Sequence, residues 1–144
     1  MTKQVCTFTL NDMLFGIEVL FVQEILRPQP MTRVPLAPSV VRGLINLRGQ
    51  IITAVDLRER LGLPRAPTYL PGMNLVVRLP DETVSFIVDD VGEVLDLPDN
   101  QFEDVPVTLQ QSIRAVTSGV YKLKDRVLLH LDAAAAAAPT QENN

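Results

Sequence analysis

The chain has 144 residues, 47% of them hydrophobic and 21% charged, with a formal net charge of −4. That composition is globular rather than disordered and fits one domain with a real core. The acidic balance argues against a nucleic-acid backbone as partner, and one cysteine excludes an intrachain disulfide.

The first elements in chain order are strands. Val5 to Leu10 and Met13 to Ile17 flank Asn11-Asp12, a good two-residue hairpin turn. Cys6, Phe8 and Leu10 alternate onto one face, which makes Cys6 a small buried hydrophobe. Arg27 to Pro38 holds four prolines and reads as a surface loop. Ser39 is expected to cap one helical turn before Gly43.

Val41 to Leu63 is the most informative stretch. Gly43 to Leu47 is an apolar strand that stops at Arg48-Gly49, where Gly49 supplies the positive φ of a tight turn. Gln50 to Val55 runs back and is apolar on both faces, so burial on both sides is expected. Asp56 ends the strand, and Asp56 with Glu59 has capping-box spacing. Gly62 stands where a helix-terminating glycine belongs, with Leu63 placed to fold back on Leu57.

Arg65 to Gly72 is a second loop. Asn74 to Leu79 and Thr83 to Val88 form a third hairpin around Pro80-Asp81-Glu82. Asp89-Asp90 reads as a strand terminus rather than a cation site, because neighbours on a strand point to opposite faces. Asp99 to Ser112 is a loop, partly helical. Gly119 to Leu123 and Arg126 to Leu131 flank Lys124-Asp125 as a fourth hairpin, with His130 on its outer face. Ala133 to Ala138 is short for a helix without a partner face, and a turn or two leading into a disordered tail is expected.

Two segments carry opposite charge. Arg27 to Arg65 holds seven arginines against Asp56 and Glu59, whereas Asp81 to Asp104 holds nine acids and no base. They are ordinary solvated faces, partners within one molecule, or complementary surfaces for other domains. A short echo, V-x-E-[IV]-L, occurs at Val22 to Leu26 and Val91 to Leu95 and suggests two similar halves.

The chemistry of catalysis is thin. One His and one Cys make no soft-metal cluster, no nucleophile stands beside a base in a known motif, and no glycine-rich phosphate loop is present. No enzyme activity, cofactor or metal is expected. A carboxylate enzyme and a nucleic-acid-binding barrel are the rival classes. No apolar run approaches a membrane span and no basic-then-apolar leader is seen, so a cytoplasmic protein without membrane insertion is expected.

The segments GLINLRG and QIITAVDLRERLGL resemble the signature of the CheW-like domain, the coupling domain of bacterial chemotaxis. FTLNDMLFGIEVLFVQEIL, VPLAPSVVRG, VSFIVDDVGEVLDLP and SGVYKLKDRVLLHLD fall in that family's order, and the likeness spans Val5 to Asp132. It implies an all-β fold of two packed five-stranded barrels with one or two short helices. One barrel is expected mostly within 13–69. The other is expected within 74–132, completed by the first strand, 5–10. Residues 1–132 then form the domain and 133–144 an alanine-rich tail.

The resemblance also implies partners: the regulatory domain of the histidine kinase CheA, the signalling tips of methyl-accepting receptors, and other CheW-like domains in array rings at the inner membrane face. Val22, Glu24, Val91 and Val94 match positions near a receptor groove. Gly43 and Arg48 match positions tied to kinase coupling, and Asp56 joins the binding set. Each has a structural alternative. The valines are core, Gly43 is a strand bend, and Glu24 and Arg48 pair with each other or with Asp56. Thr53-Ala54 and Asp90 depart from residues common in the family. The same scaffold also serves chemosensory-like pathways for surface attachment, twitching or second-messenger output.

Overall fold

A computed structural model describes residues 1–138. Eleven strands run in chain order: β1 (Thr2–Leu10), β2 (Met13–Glu18), β3 (Val22–Leu26), β4 (Val41–Leu47), β5 (Gln50–Asp56), β6 (Met73–Arg78), β7 (Thr83–Val88), β8 (Asp90–Pro98), β9 (Phe102–Glu103), β10 (Thr117–Lys122) and β11 (Val127–Leu131). Among the described residues three short α-helices, α1 (Leu57–Arg60), α2 (Gln111–Arg114) and α3 (Ala133–Ala137), sit between or after them, with single 3-10 turns at Val19–Phe21 and Asp99–Gln101.

All four expected hairpins are present. Asn11 and Asp12 have φ of 51° and 67°, and Arg48 and Gly49 have 53° and 86°. Both turns therefore carry two left-handed residues, the geometry whose twist matches paired strands. Asp56 caps α1, its carboxylate accepting from Glu59 N–H at 3.2 Å. At the other end Leu63 N–H donates to Arg58 C=O at 2.8 Å and Gly62 N–H to Glu59 C=O at 3.2 Å. With Gly62 at φ 71° this is a Schellman ending. No helical turn forms after Ser39; its hydroxyl donates to Glu59 Oε2 at 3.4 Å instead.

The strands make two sheets, of order β8-β1-β2-β11-β10-β9 and β3-β6-β7-β5-β4. One therefore has six strands rather than five, because the two-residue β9 extends its edge beside β10. The division along the chain also differs from the expected one. β2 stays with β1, and the β6–β7 hairpin joins β3, β4 and β5. A strand held by a two-residue turn cannot leave its hairpin partner. What local pattern does not encode is the pair of parallel contacts, β2 with β11 and β7 with β5, that assign whole hairpins to sheets.

The echo in the sequence lies on equivalent strands. β3 is antiparallel to β6 and β8 to β1, and each carries a bulge just after its first valine, Val22 or Val91. Further on, β4 and β10 break register at Val41/Gly43 and Thr117/Gly119. Asp56 N–H donates to Val40 C=O at 2.8 Å, and Asp132 N–H to Val116 C=O at 2.7 Å. Each half is thus hairpin, bulged strand, second hairpin and aspartate-capped helix. The first hairpin of each half lies in the sheet built by the rest of the other.

The main core brings residues of both sheets together. Phe8 and Phe15, stacked at 5.7 Å, meet Val55, Leu75, Val77 and Phe86, all fully buried. α3 belongs to this core: Ala133, Ala136 and Ala137 are buried in it, and Asp132 caps it by accepting from Ala135 N–H at 3.1 Å. The alanines thus have the partner face that the sequence did not reveal, and packing rather than propensity holds so short a helix. Residues 139–144, where the disordered tail is expected, lie outside the described residues.

Ala136→Glu should therefore destabilise the fold by about 3 kcal/mol or more through burial of an unpaired charge. Ala134→Glu, on the exposed side of α3, should stay within about 0.5 kcal/mol. Urea denaturation of the two variants checks this; equal midpoints would show that α3 does not contribute to the core.

Candidate functional site

The β4–β5 turn is built for a protruding guanidinium. Asn46 Oδ1 accepts from Gly49 N–H at 2.9 Å, a side-chain turn that holds Arg48 in its left-handed conformation. From there Arg48 reaches Glu24 on β3 with two parallel bonds, Nη1 to Oε1 at 2.7 Å and Nη2 to Oε2 at 2.5 Å. The Arg48 side chain remains 68% exposed and Glu24's 23%. Hydrogen bonding from the guanidinium holds the Glu24 carboxyl below its ordinary range; burial opposes this in part, and the arginine's charge adds a smaller downward pull. The pair latches β3 to the hairpin tip and leaves most of the arginine facing solvent.

The same elements also expose apolar side chains. Ile51 is 60% exposed beside the turn and Ile25 43% exposed on β3. The β5 strand is thus not buried on both sides along its length. Gln50 and Ile51 emerge at the tip, while Ile52, Ala54 and Val55 are buried. Gly43 is a close approach: a Cβ there would stand 2.7 Å from Thr32 C=O and 3.1 Å from Met31 Cβ. The 27–40 loop is strapped to β4 at that point by Thr32 N–H to Leu44 C=O at 2.9 Å and Leu44 N–H to Thr32 C=O at 2.8 Å.

The seven sequence-predicted residues fall into three places. Val22, Glu24, Gly43 and Arg48 lie on β3 and the β4–β5 hairpin of the five-stranded sheet. Val22 and Val91 are partly buried against the main core. Val91 and Val94 lie on β8, in the other sheet, and Val94 is 52% exposed. Asp56 does not reach the Glu24–Arg48 pair; it caps α1 and pairs with Arg42 Nη1 at 3.3 Å.

Sequence reasoning missed a buried ion pair. Arg58, on α1, donates Nε to Asp89 Oδ1 at 2.7 Å and Nη2 to Oδ2 at 2.5 Å. The two side chains are only 9% and 12% exposed. Asp89 also accepts from Asn11 N–H at 2.8 Å, and Arg58 Nη1 donates to Pro64 C=O at 2.9 Å. The signal was an arginine between Leu57 and Leu61 on a turn whose apolar residues face the core. Such a charge requires a buried acid. The pair also joins the arginine-rich segment to the acidic one inside the molecule.

His130 does not face outward. It is 8% exposed, its Nδ1 is 2.6 Å from Ser118 Oγ, and Phe102 and Tyr121 stand edge-on to its ring at 6.0 and 6.1 Å. Phe102, on β9 at the sheet edge, is itself 41% exposed. Nε2 has no hydrogen-bond partner, and Glu18 Oε2 lies 3.7 Å away. Burial pushes the imidazole pKa down, outweighing the upward pull of Glu18 and Asp132 and adding to the downward push of Lys3. Among the described residues no three His, Cys, Asp or Glu side chains are grouped to hold a metal ion.

The profile of the CheW-like domain matches residues 4–139. The chain is 32% identical over 121 residues to Chemotaxis protein CheW of Helicobacter pylori, covering 84% of this chain and 73% of the relative. Over 126 residues it is 29% identical to Chemotaxis protein CheW of Rhizobium meliloti, covering 88% and 81%. The crystal structure of scaffolding protein TtCheW from Thermoanaerobacter tengcongensis superposes with a TM-score of 0.82 at 28% identity, covering 91% of this chain and 89% of that one.

Two titrations follow from the geometry. In Arg48→Ala the Glu24 carboxyl should titrate at higher pH than in the parent, read by NMR of the side-chain carboxyl carbon. The pair's stabilisation is present above the unfolded value near pH 4.3 and is lost as pH falls through the lowered native value. An unchanged Glu24 titration would show that the latch does not form in solution. His130, held neutral by burial, contributes stability that is present above about pH 6.5 and is lost as pH falls toward its lowered native value. Denaturation midpoints should decline between pH 7.5 and 5, and His130→Gln should flatten that decline. An equal slope in the variant would assign the acid sensitivity elsewhere.

Proposed function

Because this chain belongs to the CheW-like domain family, we propose that it is a chemotaxis adaptor that couples methyl-accepting receptors to the histidine kinase CheA and lets receptor state control kinase activity. The likeness to a solved scaffolding protein over nearly the whole chain carries this reading. The protein acts by binding two partners at once. No side chain in this reading performs catalysis, and no cofactor takes part.

The binding surfaces follow from the residues already placed. The Glu24–Arg48 latch offers a fixed charge, and exposed Ile25 and Ile51 lie on the same β3 strand and β4–β5 hairpin. That combination suits a protein partner: the apolar groups supply burial, and the guanidinium sets orientation. Gly43 and Arg48 serve the kinase side, and Asp56 supports it through Arg42. Val22, Glu24, Val91 and Val94 serve the receptor side, where exposed Val94, with the partly buried Val22 and Val91, suits a helical hairpin laid in apolar contact. Further CheW-like domains complete the assembly in array rings. The site of action is the cytoplasmic face of the inner membrane, reached through the receptors. Among the described residues no helix is long and apolar enough to cross a membrane.

Purified protein should bind the regulatory domain of CheA and receptor signalling fragments, and should turn over no ATP. Arg48→Ala should melt close to the parent and weaken the kinase contact by roughly tenfold. Calorimetric titration with each partner and an ATPase assay check this. Absence of binding to both partners, or ATP turnover by kinase-free protein, would refute the reading.

A further inference from the structure

We propose that Arg58 and Asp89 are positioning residues, a pin that fixes the β8 face carrying Val91 and Val94 relative to the hairpin carrying Gly43 and Arg48. The inference rests on the adaptor reading and names the element within the domain that relates its two faces.

The pair stands between the sheets. Arg58 belongs to α1, which continues β5 of the five-stranded sheet. Asp89 is the single residue between β7 of that sheet and β8 of the other. Its N–H donates to Thr9 C=O at 3.0 Å and its Oδ2 accepts from Asn11 N–H at 2.8 Å, both in the β1–β2 hairpin of the six-stranded sheet. One carboxylate thus joins α1, which follows β5, to the turn between β1 and β2. Val91 follows two residues later. On the other side, the Asp56 that caps α1 pairs with Arg42, next to Gly43.

Elsewhere the seam is mainly apolar, crossed by single hydrogen bonds to backbone carbonyls, Ser112 Oγ to Leu61 C=O at 2.6 Å and Arg60 Nη2 to Ala135 C=O at 3.4 Å. Phe8, Phe15, Leu75, Val77 and Phe86 supply the burial that holds the sheets together, a driving force that is itself non-directional. A guanidinium held by two parallel bonds to a carboxylate is directional. Lysine at the same place keeps the charge and loses the fork. The pin therefore separates cohesion, which the core supplies, from orientation, which it supplies itself.

The test uses full-length Arg58→Lys and Asp89→Asn, with Val116→Ala as a core variant of reduced stability away from the pin. Each protein is titrated separately with CheA regulatory domain and with receptor fragment, then reconstituted with both to measure receptor control of kinase activity. Residual dipolar couplings report the angle between the sheets. Both pin variants are expected to bind each partner alone within about threefold of the parent and to lose receptor control by about tenfold. Their couplings should fit two sheets rotated as bodies. Val116→Ala should keep receptor control and the parental angle. The inference is overturned if the pin variants keep full control, if they lose it only in step with Val116→Ala, or if their binding losses match their unfolded fraction. Failure of the parent protein to bind either partner would remove the adaptor reading itself, a result distinct from all of these.

Discussion

Two charges buried at one seam constrain the rest of this structure. Arg58 and Asp89 are 31 positions apart and lie between two sheets, yet they meet with the geometry of a planar fork. Removing either partner leaves the other charge buried and unpaired, which costs about 3 kcal/mol or more in comparable sites. That penalty makes the short helix α1 more than a connector. Its aspartate cap and its Schellman ending hold the arginine at a fixed height and angle. The loop after it supplies Pro64 C=O for the remaining guanidinium nitrogen.

The second constraint is the exchange of hairpins between halves. Each sheet takes its first hairpin from one half and the remaining strands chiefly from the other. The core between them is correspondingly shared. The two halves then diverge at equivalent places. Arg48 at the tip of one hairpin latches to Glu24, while the equivalent turn, Lys124-Asp125, makes no such fork to the equivalent Glu93. Arg42 of one bulge meets Asp56, and Ser118 of the other meets His130. A common backbone plan thus carries two different surfaces.

Local features were legible in the sequence because local physics decides them. Asn11-Asp12 and Arg48-Gly49 select paired left-handed turns, Asp56 selects a helix start, and Gly62 selects its end. The family likeness supplied the all-β architecture. What stayed hidden was non-local. No periodicity shows that β2 lies parallel to β11, or that Ala133 to Ala137 meets a core face. The pairing of Glu24 with Arg48 was one of two alternatives open in the sequence, and the geometry selects it over Asp56. The burial of His130 was missed because its edge-on neighbour, Phe102, comes from a two-residue strand too short to leave a pattern. The candidate residues divide between two sheets for a similar reason: motif order places them along the chain, whereas sheet order places them in space.

The exchanged hairpins have a consequence for biosynthesis. β3 through β7 comprise a sheet whose last strand ends at Val88, so it can be completed while the ribosome still holds the rest of the chain. The β1–β2 hairpin emerges first but finds its parallel partner only when Val127–Leu131 follows, Leu14 pairing with Leu128. Closing so long a loop adds little entropy per added residue, but it cannot precede synthesis of the final strand. Until then the hairpin's Phe8, Leu10, Phe15 and Ile17 have one cover available, the face of the finished sheet. In order of synthesis the five-stranded sheet is therefore complete before the six-stranded one, and its face is in place before β11 arrives to pair with β2.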